Sequence, residues 1–535
     1  MSKLLYYLII LGTGGAGNLA FPAIRATQPH RLPGFTTTVH LESTAVSENP
    51  AFLTTLSLPE HLSYLQLSAD KQNGGFRNYP QSNDSFQWTL NTESYYRLNP
   101  SIMLYGAMGY TGAAGKVMEG TAFINPSAPF QIIESDASNK GDKKLETYRL
   151  QGGIGWEASS RLSLGASIRY TAANYAKHKD LRHKNTLMDM NVSVGANWKI
   201  NPILTAGLSY RYHRNNEAVE FATYGNKDIQ YYSLISYGNF YGLKEAFGES
   251  GYTASRTPLF SQSHGGGLQW HLQPSSRMAW FSELYYRSLD GRFGKGTSTS
   301  ITFNTHEGTN LGYNTRLVYK GDRYTHVIDA AISTQTLQNY ENAYKESTDE
   351  SNVTQIIYYG SNEVLDRKEW NGQLDYTLYI GMKDLTPIWT IGVRTLFYTR
   401  RTATSVYPYY RKQHLHQMQA VTHASRNLFA HKGMYTFGLL LGYGTGGGTL
   451  KEDGLYATPG SNQQAPFSRE DLLQQEFEYY TAPRSLAGLN LRYEHPWSPK
   501  LGLYGELSYQ YTRAYQLKVL SPHRHDIGIR IGCKF

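Results

Sequence analysis

His525–Phe535, the stretch HDIGIRIGCKF, decides how the rest of this chain is read. Ile527, Ile529, Ile531, Cys533 and Phe535 fall on one parity, and Asp526, Gly528, Arg530, Gly532 and Lys534 on the other. Successive side chains of a strand point to opposite faces, so this strand has one apolar face and one polar face. The preceding stretch agrees: Leu501, Leu503, Leu507, Tyr509 and Tyr511 alternate with Tyr504, Glu506, Ser508, Gln510 and Thr512.

The same alternation recurs upstream in pairs joined by short turns. Apolar rows include Tyr435 to Tyr443, Trp389 to Phe397, Leu374 to Met382, Tyr324 to Ile332, Leu311 to Tyr319, Met278 to Tyr286, Gly266 to Leu272, Leu204 to Tyr210 and Met188 to Trp198. Fainter rows continue back to Leu65–Ala69, and Gln413–Thr422 is the weakest assignment. No apolar row contains a charge. The charges lie on the opposite parity: Arg161, Arg169, Asp189, Arg211, Glu283, Arg287, Arg316, Asp329, Asp375, Arg394, Arg492, Glu494, Glu506 and Arg530. A soluble sandwich tolerates a charge near its rim. Lipid does not, since Arg or Lys at the bilayer midplane costs ~2–4 kcal/mol.

These rows predict an all-β fold, a transmembrane antiparallel barrel of about 18 strands, with 16 or 14 as the alternatives. Short connections at 98–101, 157–160, 199–202, 273–276, 320–322, 383–387 and 496–499 alternate with long ones near 113–145, 214–261, 289–308, 336–368 and 445–485. Outer-membrane barrels have short periplasmic turns and long outer loops, so the C-terminus is expected in the periplasm of a Gram-negative cell. Trp156, Trp198, Trp270, Trp280, Trp389 and Trp497 sit at or near short turns, as an interfacial aromatic girdle requires.

Composition supports this reading. The 535 residues are 17 % charged and 40 % hydrophobic, with 44 Tyr, 51 Gly and one Cys. That excludes a disordered chain and a disulfide-stapled fold, and no apolar run is long enough for a helical span. Lys3, the apolar Leu4–Leu11 and the small residues beyond predict a signal peptide over 1–26, with Ala20, Ala23 and Ala26 as possible cleavage points. An N-terminal segment is then expected over 27–60 and the barrel over 61–535. So short a leading segment leaves no room for a TonB-dependent plug domain, periplasmic repeats or a passenger domain.

The chain's end, DIGIRIGCKF, resembles that of outer-membrane barrel proteins, where a terminal aromatic is the assembly signal; Phe535 holds that place and implies the barrel-assembly machinery as a partner. The Tyr-rich strands and long loops resemble an uncharacterised Bacteroidota barrel family, a domain of unknown function. Ser43–Leu53, STAVSENPAFL, is similar to an Asn-Pro-Ala element of the long-chain fatty acid transporter family, whose N-terminal segment folds inside the barrel as a hatch. Asn49, Pro50 and Ala51 would be the matching residues, although that family has fewer strands and a shorter chain. An ordinary turn before the first strand is the other reading of Asn-Pro. Phe52, Leu53, Leu56 and Leu58 could pack on a lumen wall.

Chemistry is sparse. No Gly-x-Ser-x-Gly elbow, phosphate loop or Cys-based zinc motif is present, so no enzyme and no cofactor are expected. His414 and His416 share a strand face, with His423 beyond, and form a weak candidate metal site; His523 and His525 repeat the spacing. Interfacial histidines explain both pairs as well. Gly444–Gly448 opens a long loop in which Ser468, Arg469, Glu470 and Asp471 begin a capped helix through about Tyr480. Net charge is +9 without a dense basic run, so nucleic acid is excluded as a partner; outer-membrane lipid and lipopolysaccharide are the expected ones.

Arginines 161, 169, 211, 316, 394, 492 and 530 form either an anion-attracting lumen or, with Glu283, Asp329, Asp375, Glu494 and Glu506, a structural ion-pair network. The leading function is small-solute uptake or diffusion through a partly plugged lumen. Alternatives are an accessory barrel scaffolding a transport or secretion complex with a surface lipoprotein or larger transporter, and hatch-type uptake of hydrophobic compounds. A lateral gap in the wall would distinguish the last.

Overall fold

The computed structural model describes residues 32, 34–225, 228–248, 251–348, 350, 354–461 and 463–535. The expected signal peptide lies outside them. Eighteen antiparallel strands form one closed sheet. The first, His61–Gly74, pairs with the last, His523–Lys534, through Tyr64↔Lys534 to Gly74↔Arg524. Closure follows from the solvent: in hydrocarbon every backbone N–H and C=O needs a partner, and only a sheet without edges supplies them all.

The alternation sorts faces as the sequence implies. Ile529 and Leu507 are directly paired and 50 % and 52 % exposed on the outside, while Arg530 and Glu506 pair on the inside. A closed, even-stranded antiparallel barrel with such an apolar belt is the architecture of the outer membrane. Every wall strand is paired through this belt. The bulges, among them Arg97/Asn99, Lys412/His414 and Pro496/Ser498, lie beyond the apolar rows.

Connection lengths separate the two ends of the barrel, with two departures from expectation. A two-residue turn, His431–Lys432, joins Tyr409–Ala430 to Gly433–Leu455 at the short-turn end. At the other end Tyr407–Pro408 is equally short. The long connections are also shorter than the sequence suggests. Tyr324–Thr348 and Thr354–Ile380 run as a ladder far past the belt, and Gly444–Gly448 lies within a strand. Above the belt the outer face meets water, so alternation loses its lipid-facing apolar half and a strand reads as loop.

Folded into the barrel's long-loop mouth is a second antiparallel sheet of four strands: Gln131–Glu134, Tyr232–Gly238, Tyr241–Ala246 and Phe467–Ser468. Phe123, Phe130, Ile235, Tyr237 and Tyr252 pack with wall residues Val219, Leu259, Phe293 and Val364. At the chain's start a short helix α1, Phe35–His40, enters the opposite mouth. A longer helix α2, Glu470–Thr481, lies in the long-loop mouth. Its N-cap is Arg469, which makes no side-chain cap, so the expected Ser468 cap is replaced. Ser468 Oγ instead donates to Glu470.

The belt makes a direct prediction. Ile529→Arg, at the middle of the outer row, should lose ~2–4 kcal/mol of folding stability, whereas Gln510→Lys on the lumen face should change it by less than ~0.5 kcal/mol. Urea titration in detergent micelles, read by heat-modifiable gel mobility, checks both.

Candidate functional site

The lumen is the candidate site, and residues 34–58 lie inside its short-turn end. The seat for this segment is a row of glycines on four consecutive strands. Gly155, Gly165 and Gly195 are successive cross-strand partners, and Gly207 lies one strand farther on, opposite Asn197. All point inward, and the segment lies where their side chains would be. A Cβ on Gly155 would stand 2.9 Å from Leu53 Cβ, and one on Gly207 2.6 Å from the Phe52 ring. On Gly165 it would collide with the backbone of Pro50 and Ala51, and on Gly195 with the side chain of Asn49.

Asn49 is 2 % exposed and fully engaged. Its Nδ2 donates to the carbonyls of Ala196 at 3.0 Å and Leu208 at 3.1 Å and to Gln269 Oε1 at 3.0 Å. Its Oδ1 accepts from Ala51 N at 3.0 Å, which starts the 3-10 turn Pro50–Thr55. Asn197 Nδ2 returns a bond to the Ala51 carbonyl at 2.9 Å. Phe52 meets Phe281 edge-on with ring centroids 5.3 Å apart. Leu56 and Leu58 are buried with Leu62, Tyr95 and Met103.

Charges pin the segment on the other side. Arg211 and Arg287 both bind Glu48, whose backbone N–H donates to Glu283 at 3.1 Å. His40 bridges Asp329 at 2.9 Å and the Tyr379 hydroxyl at 2.6 Å. Arg316 pairs with Asp329 at 2.5 Å and donates to the Glu42 carbonyl at 3.3 Å. Burial alone would raise the Glu48 carboxyl; the two guanidiniums more than offset it and hold it below the usual carboxylate range.

The structure brings most of the sequence's lumen charges into ion pairs. Arg394 binds Asp375 at 2.6 Å. Arg492 pairs with Glu494 at 3.3 Å and Glu506 at 3.5 Å, and Arg530 with Glu506 at 3.0 Å. Arg169 makes no ion pair among the described residues and lines the same cavity as Arg211 and Glu48. Arg161 is corrected: it stands exposed in the turn before Leu162–Lys177 and faces no lumen. Phe535 pairs its backbone with Ser63 and sets its ring 5.5 Å from His61.

The histidine site is also corrected. His414 and His416 are on the outer face, their rings 5.9 Å apart, but His423 is an odd number of residues along and points into the lumen beside Asp375 and Arg394. Among the described residues no cluster of three His, Cys, Asp or Glu side chains could hold a metal. Residues that the sequence reading missed are His40, Glu48, Asn197, Gln269 and the four glycines. Their one signal was small residues recurring on the polar parity of neighbouring strands.

The long-loop end is filled separately by the four-stranded sheet and α2. Glu134 is buried against Lys177. Burial would raise its carboxyl, but Lys143 and Lys177 hold it below the usual range. Arg469 joins Glu119 at 2.8 Å, Arg400 of the wall joins Glu476 of α2 at 2.6 Å, and Arg411 joins Glu470 at 2.6 Å. Between the segment and the mouth sheet are adjoining cavities of about 410, 560 and 450 Å³. Their inward lining includes Gln151, Asn191, Asn314, Asn371, Gln373, Gln417, Tyr285 and Tyr398.

Residues 50–535 match the model of a family described as Family of unknown function (DUF6850). The chain belongs to this family. In this DUF6850 member the match begins at Pro50, so it spans the barrel and only the last residues of the segment seated on the glycines. No curated protein matches its sequence. Among solved structures, it is similar to the ferric preacinetobactin receptor BauA of Acinetobacter baumannii, at 8 % identity and TM-score 0.35, covering 88 % of this chain and 80 % of that one. It is similar also to the outer membrane transporter YddB of Escherichia coli, at 6 %, TM-score 0.39 and the same coverages. The toluene transporter TodX of Pseudomonas putida is a third, at 10 % and TM-score 0.29, with 95 % and 99 % covered.

Two outcomes are expected of the seat. Asn49→Ala strands buried carbonyls at ~1–3 kcal/mol and should raise protease cleavage of the segment at least about fivefold in the folded barrel. Because the Glu48 carboxyl is depressed in the docked state, its contribution is complete above the unpaired value near ~4.3 and is lost as pH falls through the lower docked value. The same proteolysis, with an acid-active protease, should therefore rise as pH falls below about 4.

Proposed function

We propose that this protein is an outer-membrane channel for small polar solutes, gated by its own residues 34–58, with the short turns and C-terminus in the periplasm. The observation that carries this is the chamber itself. A lumen lined by amides, tyrosines and paired charges is held between two closures, and the lower closure combines hydrogen bonds and ion pairs with small apolar clusters around Leu56 and Leu41. Barrels of this strand number leave a water-filled channel unless something fills it. The Asn-Pro-Ala likeness to the fatty acid transporter family supports an N-terminal gate. Continuous pairing of the wall across the apolar belt supports an axial route for the solute over a lateral one.

Deletion of Thr27–Leu58 tests the reading. In planar bilayers the full-length mature barrel should show small or brief openings, and the deletion variant steady steps at least about threefold larger. Gly165→Val, which fills the seat while leaving the segment in the chain, should behave as the deletion does. Equal conductance of all three proteins would contradict the proposal.

A further inference from the structure

We propose that the outer wall carries a binding site for a phosphate-bearing lipid headgroup, formed by Lys368, Arg401, Lys412 and His414 at the long-loop edge of the apolar belt. The register sets these residues side by side. Lys368 is the cross-strand partner of Arg401, and Arg401 of His414. Three strands about 4.8 Å apart place the three side chains within about 10 Å along one level. His416 lies one step nearer the belt, opposite Thr399, and Lys412 one step farther, opposite Ala403.

All five share the outward parity of Trp370, Phe397 and Met418, which are 39 %, 46 % and 54 % exposed and end the belt on their strands. The row therefore sits where hydrocarbon gives way to headgroups, with an aromatic anchor directly beneath Lys368. Its electrostatics differ from those of the lumen. There, most arginines meet a carboxylate. Here Lys368, Arg401 and Lys412 make no ion pair among the described residues, and the outward carboxylates Asp366 and Glu452 stand one step farther from the belt, opposite Ala403 and Lys412. The row therefore presents uncompensated positive charge at the level of Arg401, where a bilayer edge places phosphate. The inference does not depend on the channel reading.

The test is native mass spectrometry of the full barrel in detergent, titrated with bisphosphorylated lipid A, with its dephosphorylated form, and with lipid A in the presence of millimolar inorganic phosphate. The wild type should bind bisphosphorylated lipid A at least about tenfold more tightly than the dephosphorylated form, and free phosphate should not displace it. Lys368→Gln with Arg401→Gln and Lys412→Gln should bring the two lipids within about twofold, with heat-modifiable mobility unchanged. Arg426→Gln, at the other end of the same strand as Lys412, should keep the wild-type preference. Equal binding of the two lipids by the wild type, full displacement by free phosphate, or loss of the preference in Arg426→Gln would each overturn the proposal.

Discussion

Backbone hydrogen bonding in hydrocarbon is the constraint from which this structure follows. A strand in lipid cannot leave an edge, so the sheet closes. Once eighteen strands close, the interior is too wide for wall side chains to fill. The chain supplies the filling from its own ends and loops: residues 34–58 at one mouth, and the four-stranded sheet with α2 at the other.

The two closures are built differently. At the long-loop mouth Phe123, Phe130, Tyr237 and Phe293 form an apolar cluster as a soluble domain would, with the buried ion pairs of Glu134 and Arg469 at its margin. Breaking such pairs leaves uncompensated charges, which makes that closure costly to open. At the short-turn mouth the segment lies on a smooth glycine floor and is held by Asn49, Glu48 and His40. The Asn49 bonds contribute about 1 kcal/mol each net and exchange readily for water, those to the charged Glu48 and Asp329 about 1.5–3 kcal/mol, and the apolar cluster here is smaller than the one at the other mouth. If one mouth moves, the physical chemistry favours this one.

The wall was legible in the sequence because lipid enforces parity so strictly: the row Ile527, Ile529, Ile531 could face only one way. Strand number and the helix of the last long connection followed from the same rule and from capping chemistry, apart from the cap residue. What was not legible has specific causes. The two-residue turn at His431–Lys432 carries no Gly or Pro punctuation. Thr445–Leu455 is strand whose outer face meets water and whose inner face is largely Gly against α2, so its pattern carries no apolar signal. His423 was grouped with His414 although an odd separation puts them on opposite faces. The glycine seat requires knowing which strands are neighbours, since Gly155, Gly165 and Gly195 become a row only through the register. The partner of Arg211 and Arg287 was not legible, because Glu48 comes from a segment outside the wall.

The central claim is that residues 34–58 sit on the glycine floor and close the lumen from within. Thr54 Oγ1 lies 3.1 Å from Ser163 Oγ, which joins the segment to the wall at one point. Thr54→Cys with Ser163→Cys, in a Cys533→Ser background, places two thiols there, and single-channel recording with and without reductant reads the consequence. The account predicts a disulfide that forms on oxidation, a small conductance while it is intact, and a reversible increase on reduction. Failure of the bond to form in the folded barrel, or a conductance indifferent to its reduction, would contradict it.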